Sequence, residues 1–415
     1  MDTVKLQKVR QEHKVVFVAA SAHMLTHAYM MIFPTVLVLI ANDPFLHMKE
    51  YFKLGVIGTV CYGLFGMGAI PSGMLADRYG SQRMLTICVF ASALSSLVAG
   101  FSFSIYLFVV SMVFLGLAAS IYHPSGLSFI SRNVEKKGKA MGIHGVGGNI
   151  GLALGPVLSG AAAAFWGWRS AFIVFAILGF FLGIMIMRLK VADQTVTRKA
   201  GSKPEGQARF SSMPLILLLI YFNSMLYGLC YRGSMMYFPK HFLHNIHFAL
   251  NDVAMAGFLV SMVTIAGTLG QILGGSLCDR LKRPEYAYLV VFLFSTPLFF
   301  SIWLLKDWGL FGISLLFAPF FFAWQPIQNV LVAKYSIQAA HGVSYGINFL
   351  LIMGVGSLAA SIGGYVTDKV GVSNVFAVLG FLSTLSLLLV FYILKTAISQ
   401  AVTPEVAAGN PGRKG

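Results

Sequence analysis

VVFVAASAHMLTHAYMMIFPTVLVLI, residues 15–40, runs for 26 positions without an Asp, Glu, Lys or Arg. A hydrocarbon core about 30 Å thick is crossed by about 20 apolar residues in helical form, so this stretch reads as a membrane span. It is too long for a signal-peptide core, and no small-x-small cleavage site follows it, so it is expected to be retained. Working outward, further apolar stretches lie at 52–76, 84–101, 104–130, 140–164, 170–188, 214–238, 253–277, 285–305, 309–333, 343–366 and 374–394. The expected fold class is therefore an all-α membrane protein with twelve transmembrane helices.

Charge placement supports this reading. Only 11% of residues are charged, against about 25% in a soluble domain. The net charge of +16 could suggest nucleic acid, but its distribution argues against that partner. Of 30 Lys and Arg, 23 fall on alternate breaks and the termini, 6 on the other breaks, and one, Arg232, within a span. That bias puts the basic side in the cytoplasm, next to anionic inner-leaflet lipids. The expected location is the plasma (inner) membrane, multi-pass, with both termini cytoplasmic. Cys61, Cys88, Cys230 and Cys278 have unrelated spacings and read as small buried hydrophobes.

The chain repeats itself. GMLADRYGSQR at 73–83 follows the second stretch, and GSLCDRLKR at 275–283 follows the eighth. Asp77 and Asp279 are 202 positions apart, and the same offset carries His123-Pro124 onto Gln325-Pro326. Two six-helix halves, 1–187 and 214–395, are expected on either side of a basic, Ser- and Gly-containing linker at 188–213, with a tail at 396–415. Parallel repeats enclosing a midplane site are a transporter arrangement.

The 73–83 run resembles the loop 2–3 signature of the major facilitator superfamily. Gly142, Gly151, Gly155, Pro156 and Gly160 resemble that superfamily's antiporter signature, with Ser159 in place of one glycine. Span 1 (SAHMLTH, 21–27), span 4 (IYHPS, 121–125) and span 5 (VGGNIGLALGP, 146–156) look like its fosmidomycin-resistance branch. The resemblance implies the major facilitator fold and proton-driven export of small amphiphilic or anionic compounds. His27 and Ser125 stand where that branch tends to carry acids, and Met112 where the drug-antiporter signature has Arg.

The motif residues suggest a gate. Asp77 and Asp279 end inner helices, where a carboxylate can accept backbone N–H groups of a facing helix start. The expected latches join Asp77 to the start of span 11 near Val343, with Arg132 contributing, and Asp279 to the start of span 5 near Ala140. Arg78, Arg83 and Arg280 belong to the same gating set. They should hold the outward-open state and break when the inside opens. Gly151, Gly155 and Pro156 are expected to form a hinge or close-packing face.

No Asp or Glu falls mid-span, which leaves His23, His27, His123, His144 and Arg232 as the intramembrane ionisable set. His23 and His123 sit at similar depth, about 12 Å from the inner surface by helical rise, with His27 one turn further out on nearly the same face. With an ordinary pKa near 6.5, histidine can titrate in the physiological range. His23, His27 and His123 are thus the candidate proton carriers, and the alternative for each is a structural hydrogen bond. Arg232 needs an anionic partner, which a substrate could supply, unless it snorkels to the outer surface. Tyr29, Tyr122, Asn149 and Gln325, with His27 and His123, complete the candidate substrate-binding set. Further polar candidates are Tyr62, Tyr227, Tyr231, Gln271, Gln328, Asn329 and Asn348.

The expected function is alternating-access secondary transport of a small solute, best read as an organic anion, coupled to protons and carried out by a monomer. Export of drug-like compounds by proton antiport is one alternative. A transition-metal cargo is another, on His241, His244 and His247 or on His23, His27 and nearby methionines. No resident metal or cofactor is expected. An ATP-driven pump is disfavoured because no phosphate-binding G-x-x-x-x-G-K-[ST] run exists, and an enzyme because the histidines lack a matched nucleophile or carboxylate.

Overall fold

The computed structural model describes residues 3–135, 137–189, 214–248, 252–336 and 341–408. The described residues contain only helices. In chain order these are α1 (Thr3–Ala41), α2 (Tyr51–Met67), α3 (Ala69–Tyr79), α4 (Ser81–Gly100), α5 (Ile105–Ser120), α6 (Tyr122–Asn133), α7 (Lys137–Trp166) and α8 (Trp168–Arg188). After the linker come α9 (Leu215–Asn245), α10 (Asp252–Arg280), α11 (Pro284–Leu304), α12 (Asp307–Tyr335), α13 (His341–Phe349), α14 (Leu358–Val370) and α15 (Ser373–Ala408). Eleven of the spans are long and apolar enough to cross a membrane, and the α2–α3 pair, bent by 44°, makes a twelfth.

The breaks have local causes. Pro71 cannot donate to the carbonyl of Met67 and its ring crowds that carbonyl, so the second span bends at Gly68. Pro124 acts in the same way on Ser120, and the fourth span is interrupted at Ile121. The eleventh span unwinds mid-membrane through a π turn, Leu350–Gly354, and a 3-10 turn, Val355–Ser357. Sequence reading placed continuous helices at all three positions. At the unwound segment the backbone passes between two others. A Cβ on Gly356 would lie 2.6 Å from the carbonyl carbon of Gly228, and one on Gly66 would lie 2.6 Å from the Gly354 nitrogen.

Helix ends overshoot the expected spans at several places. α1 begins before residue 15, and α15 continues past 395 to Ala408 without a break. Residues 190–213, most of the expected linker, and 409–415 lie outside the described residues.

Within the first half α1 packs on α7 and α4 on α8. In the second, α10 packs on α12 and α11 on α15. The halves meet along α7–α10 and α2–α14. At the face away from the termini these seams are tight. Ser261 Oγ donates to the Ala153 carbonyl at 2.5 Å, and Asp368 accepts from the backbone N–H of Tyr51 at 2.9 Å and of Phe52 at 2.7 Å. Toward the termini face the halves part around a cavity lined there by Gly145, Asn329 and Tyr345. The bundle is closed at one end and open at the other.

The closed end of the first half carries a nearly buried ion pair. Asp43 accepts from Arg169 Nη1 at 2.5 Å and from the Trp168 indole at 2.9 Å. Burial opposes its charge, but Arg169, Trp168 and the Phe45 N–H outweigh that and hold the carboxyl down at about 2.

Candidate functional site

A cavity of about 310 Å³ lies between the halves near mid-depth and extends toward the termini face. Its first-half wall is made of imidazoles. His23 and His27 come from α1, one turn apart, and His123 from α6. Gly148 leaves the room that His23 occupies, since a Cβ there would lie 2.4 Å from the His23 ring.

The hydrogen bonds fix the tautomers. His23 Nδ1 lies 2.8 Å from the His144 carbonyl, which can only accept, so Nδ1 carries the proton. The Nε2 of neutral His23 is then an acceptor, and His27 Nε2, 3.0 Å away, donates to it. Beneath them Tyr122 donates to the Ala19 carbonyl at 2.7 Å, so His144 Nε2 donates to the phenol oxygen at 2.8 Å. His123 Nε2 is buried and has no hydrogen-bond partner among the described residues. One ligand nitrogen from each of His23, His27 and His123 lies within 4.8 Å of the others, close enough for a single metal ion.

The second-half wall is neutral. Asn149 on α7 donates to Gln271 Oε1 on α10 at 2.6 Å, and Gln271 donates to Gln325 Oε1 on α12 at 3.0 Å. This amide chain crosses from one half to the other. Trp324 and Tyr227 stack at 3.6 Å between centroids, and Tyr231 continues the column at 6.2 Å. From the wall inward, Asn348 Oδ1 accepts from Ser224 at 2.6 Å and from Gln328 at 3.0 Å, and the Tyr288 hydroxyl lies 2.6 Å from both Asn223 Oδ1 and Gln328 Oε1.

Arg232 does not reach the surface. It is 7% exposed, with its guanidinium 4.7 Å from the Tyr62 ring centroid, and it donates to Met353 Sδ at 2.9 Å. Its Nε has no partner among the described residues. Met353 and Tyr231 both line the cavity, so the cation lies one side chain behind the wall.

Residues 16–361 match the Major Facilitator Superfamily. The chain belongs to this superfamily. Among curated relatives, it is 25% identical over 336 residues to a probable hexose phosphate transport protein of Chlamydia trachomatis, covering 71% of this chain and 72% of that one. It is 26% identical over 251 residues to the multidrug resistance protein MdtG of Escherichia coli, covering 59% and 60%. Its fold is similar to that of a bacterial homolog of the human lysosomal transporter Spinster in an inward-facing, unoccupied conformation. The TM-score is 0.81 at 15% identity, over 94% of this chain and 98% of that one. This superfamily member is thus a multi-pass membrane transporter of small molecules.

The fold brings together His23, His27, His123, Asn149 and Gln325 of the candidate set, with Gln271, Tyr227, Tyr231, Asn329 and Asn348. It does not bring Tyr29 to the cavity. The Tyr29 hydroxyl donates to the Phe175 carbonyl at 2.8 Å inside the first half. Tyr122 is fully buried and underpins the histidines instead of lining the space. Sequence reading missed Phe322, Trp324, Tyr345, Phe349 and Met353 as lining residues; the dense aromatic run 320–324 was the available signal. His144 was in the intramembrane set, but its support of His23 depends on a backbone contact that spacing does not reveal.

In the gating set, Asp77 pairs with Arg132 at 2.6 Å, while Val343 is exposed, and no bond between Asp77 and the start of span 11 is seen among the described residues. Arg78 lies over Tyr79 at 5.2 Å, and Arg83 and Arg280 are exposed. The side chain of Asp279 lies outside the described residues. Gly151 and Gly155 pack α7 on α1, where a Cβ on Gly151 would lie 2.0 Å from the Met24 carbonyl oxygen. The Pro156 carbonyl abuts Gly257 of α10. His241 and His247 do not converge: His241 meets the Ile302 carbonyl at 3.0 Å and His247 meets Asp307 at 2.7 Å.

Proposed function

We propose that this chain is a secondary active transporter of a small organic anion, working as a monomer by alternating access and driven by protons. The observation that carries the reading is Arg232, a guanidinium buried mid-bundle with no carboxylate partner among the described residues and one side chain from the cavity. A permanent cation in low dielectric favours an anion nearby. The names of two relatives, a hexose phosphate transporter and a probable L-galactonate transporter of Escherichia coli, point to anionic solutes as well. Proton coupling is assigned to His23, His27 and His123, because the cavity wall holds no Asp or Glu. The positive-inside pattern supports the inner membrane with cytoplasmic termini, so the open face is the cytoplasmic one.

The likeness of spans 1, 4 and 5 to the fosmidomycin-resistance branch supports export, with drug-like compounds as the competing cargo. The converging imidazole nitrogens favour a second reading, in which a transition-metal ion is the cargo. Thermal stabilisation of the detergent-purified protein by organic anions, phosphonates, cationic drugs and divalent metals tests all three. The expected result is stabilisation by one anion class, lost in Arg232→Ala. Stabilisation by metals alone, abolished in His123→Ala and intact in Arg232→Ala, replaces the anion with a metal.

A further inference from the structure

We infer that the cargo is a flat aromatic monocarboxylate, its ring against Tyr231 and Phe349 and its carboxylate at the histidine wall. The inference rests on the anion-carrier reading and narrows it.

Charge sets the first limit. Among the described residues the cavity lining contains no Lys, Arg, Asp or Glu, and its titratable nitrogens are imidazoles. A phosphate dianion is usually held by several fixed cations in bidentate or clamped geometry. Here the one nearby fixed cation, Arg232, is screened by Met353 and by the Tyr62 ring. A single negative charge fits that supply. His123 Nε2, buried and unpartnered, is a polar atom for a carboxylate to meet, and His27 and the Asn149 amide lie on the same wall.

Shape sets the second limit. The volume of about 310 Å³ is at the small end for organic ligands. The second-half wall is a stacked column, Trp324 on Tyr227 and then Tyr231, whose last ring is the least buried of the three. Phe349 stands edge-on to His123 at 5.2 Å, so an aromatic face adjoins the imidazole pole. An apolar pole beside a hydrogen-bonding imidazole pole suits an amphiphile with a flat body. Aromatic stacking adds about three- to tenfold in affinity beyond area burial.

Binding to the purified protein can be followed by thermal shift and checked by counterflow in liposomes. The probes are indole-3-acetate, cyclohexanecarboxylate, indole-3-carbinol, glucose 6-phosphate and zinc chloride. Indole-3-acetate is expected to bind best, with cyclohexanecarboxylate weaker by about three- to tenfold and the uncharged indole weaker still. Tyr231→Leu should remove the preference for the indole over the cyclohexyl acid. If Tyr231→Leu does not fold, Phe349→Leu carries the same test. Equal binding of the two carboxylates, or a Tyr231→Leu protein that keeps the preference, overturns the inference. Glucose 6-phosphate as the best ligand overturns it too, but leaves the anion reading standing. Binding of zinc alone, or of no anion, overturns both.

Discussion

The first half has His123 beside the cavity, and 202 residues later the second half has Gln325. The same offset relates Asp43 to Asn245 at the closed ends. Asp43 holds Arg169 and Trp168 at the start of α8, while Asn245 donates to Ser373 at 3.1 Å at the start of α15. At both of these paired positions the first half has a titratable side chain and the second an amide. The behind-the-wall networks follow suit, imidazoles with Tyr122 in one half and Asn223, Ser224, Gln328 and Asn348 in the other. Both solutions satisfy buried polar atoms, as a membrane interior requires. At the cavity wall His123 can change its charge and Gln325 cannot, so the proton response proposed above is assigned to the first-half wall.

The sharpest break of that comparison is to give the first half the second half's residue. His123→Gln is expected to abolish uphill transport driven by a pH gradient while counterflow exchange continues. Transport measured in liposomes with and without a gradient decides this. Gradient-driven accumulation that survives in His123→Gln, and again in His27→Gln, would remove the titrating role from this wall.

Next in size is the closed-end pair. Asp43→Asn leaves Arg169 without its counter-ion, at a cost of about 3 kcal/mol. Asn245→Ala removes neutral hydrogen bonds only and should cost about 1 kcal/mol. The pH signature differs as well. The folded-state carboxyl of Asp43 is held at about 2, below an unfolded value of about 3.9. Its stabilisation is therefore complete above about pH 4 and is lost as the pH falls through about 2. Acid-melting curves of the wild type should carry this slope, and those of Asp43→Asn should lack it.

The neutral network gives a smaller effect. Gln328→Leu takes one hydrogen bond each from Tyr288, Ser224 and Asn348, which should cost about 1–2 kcal/mol, with no change in the pH response of transport. A shifted pH profile in Gln328→Leu would show that the halves are not functionally divided.

Much of this architecture was legible from apolar run length, because a bilayer imposes one length on every crossing. Two motif pairs at one offset are the sequence basis for reading two halves. The convergence of His23, His27 and His123 could be read from helical rise and face, since all three sit on spans of known direction. What could not be read was contact between elements. The Nε2 of His23 points at His27 because its Nδ1 is taken by a carbonyl 121 positions away. The unwound segment Leu350–Ser357 lies where Gly228 and Gly66 approach it closely, a contact that the run LLIMGVGS alone does not disclose. Tyr29 was misplaced for a related reason. It is on a cavity-lining helix, but it lies two residues, about 200° of helical rotation, from His27, and its side chain faces α8.

The smallest stability effect belongs to Asp77, and there the comparison between the two ends of the bundle matters more than the energy. At the closed end Asp368 accepts the first N–H groups of α2, a carboxylate capping a helix across the two halves. Asp77, at the open end, pairs among the described residues with Arg132 of its own half, and its side chain is 65% exposed. An exposed pair of this kind contributes less than about 1 kcal/mol. Asp77→Ala should therefore leave melting nearly unchanged. If the open end closes by giving Asp77 the same kind of cap at the start of α13, the variant should lose only the closed form of that end. Spin-label distances between Tyr79 and Lys282 read that population. A shift toward the longer distance is expected, and an unchanged distribution would make the Asp77–Arg132 contact a static surface pair.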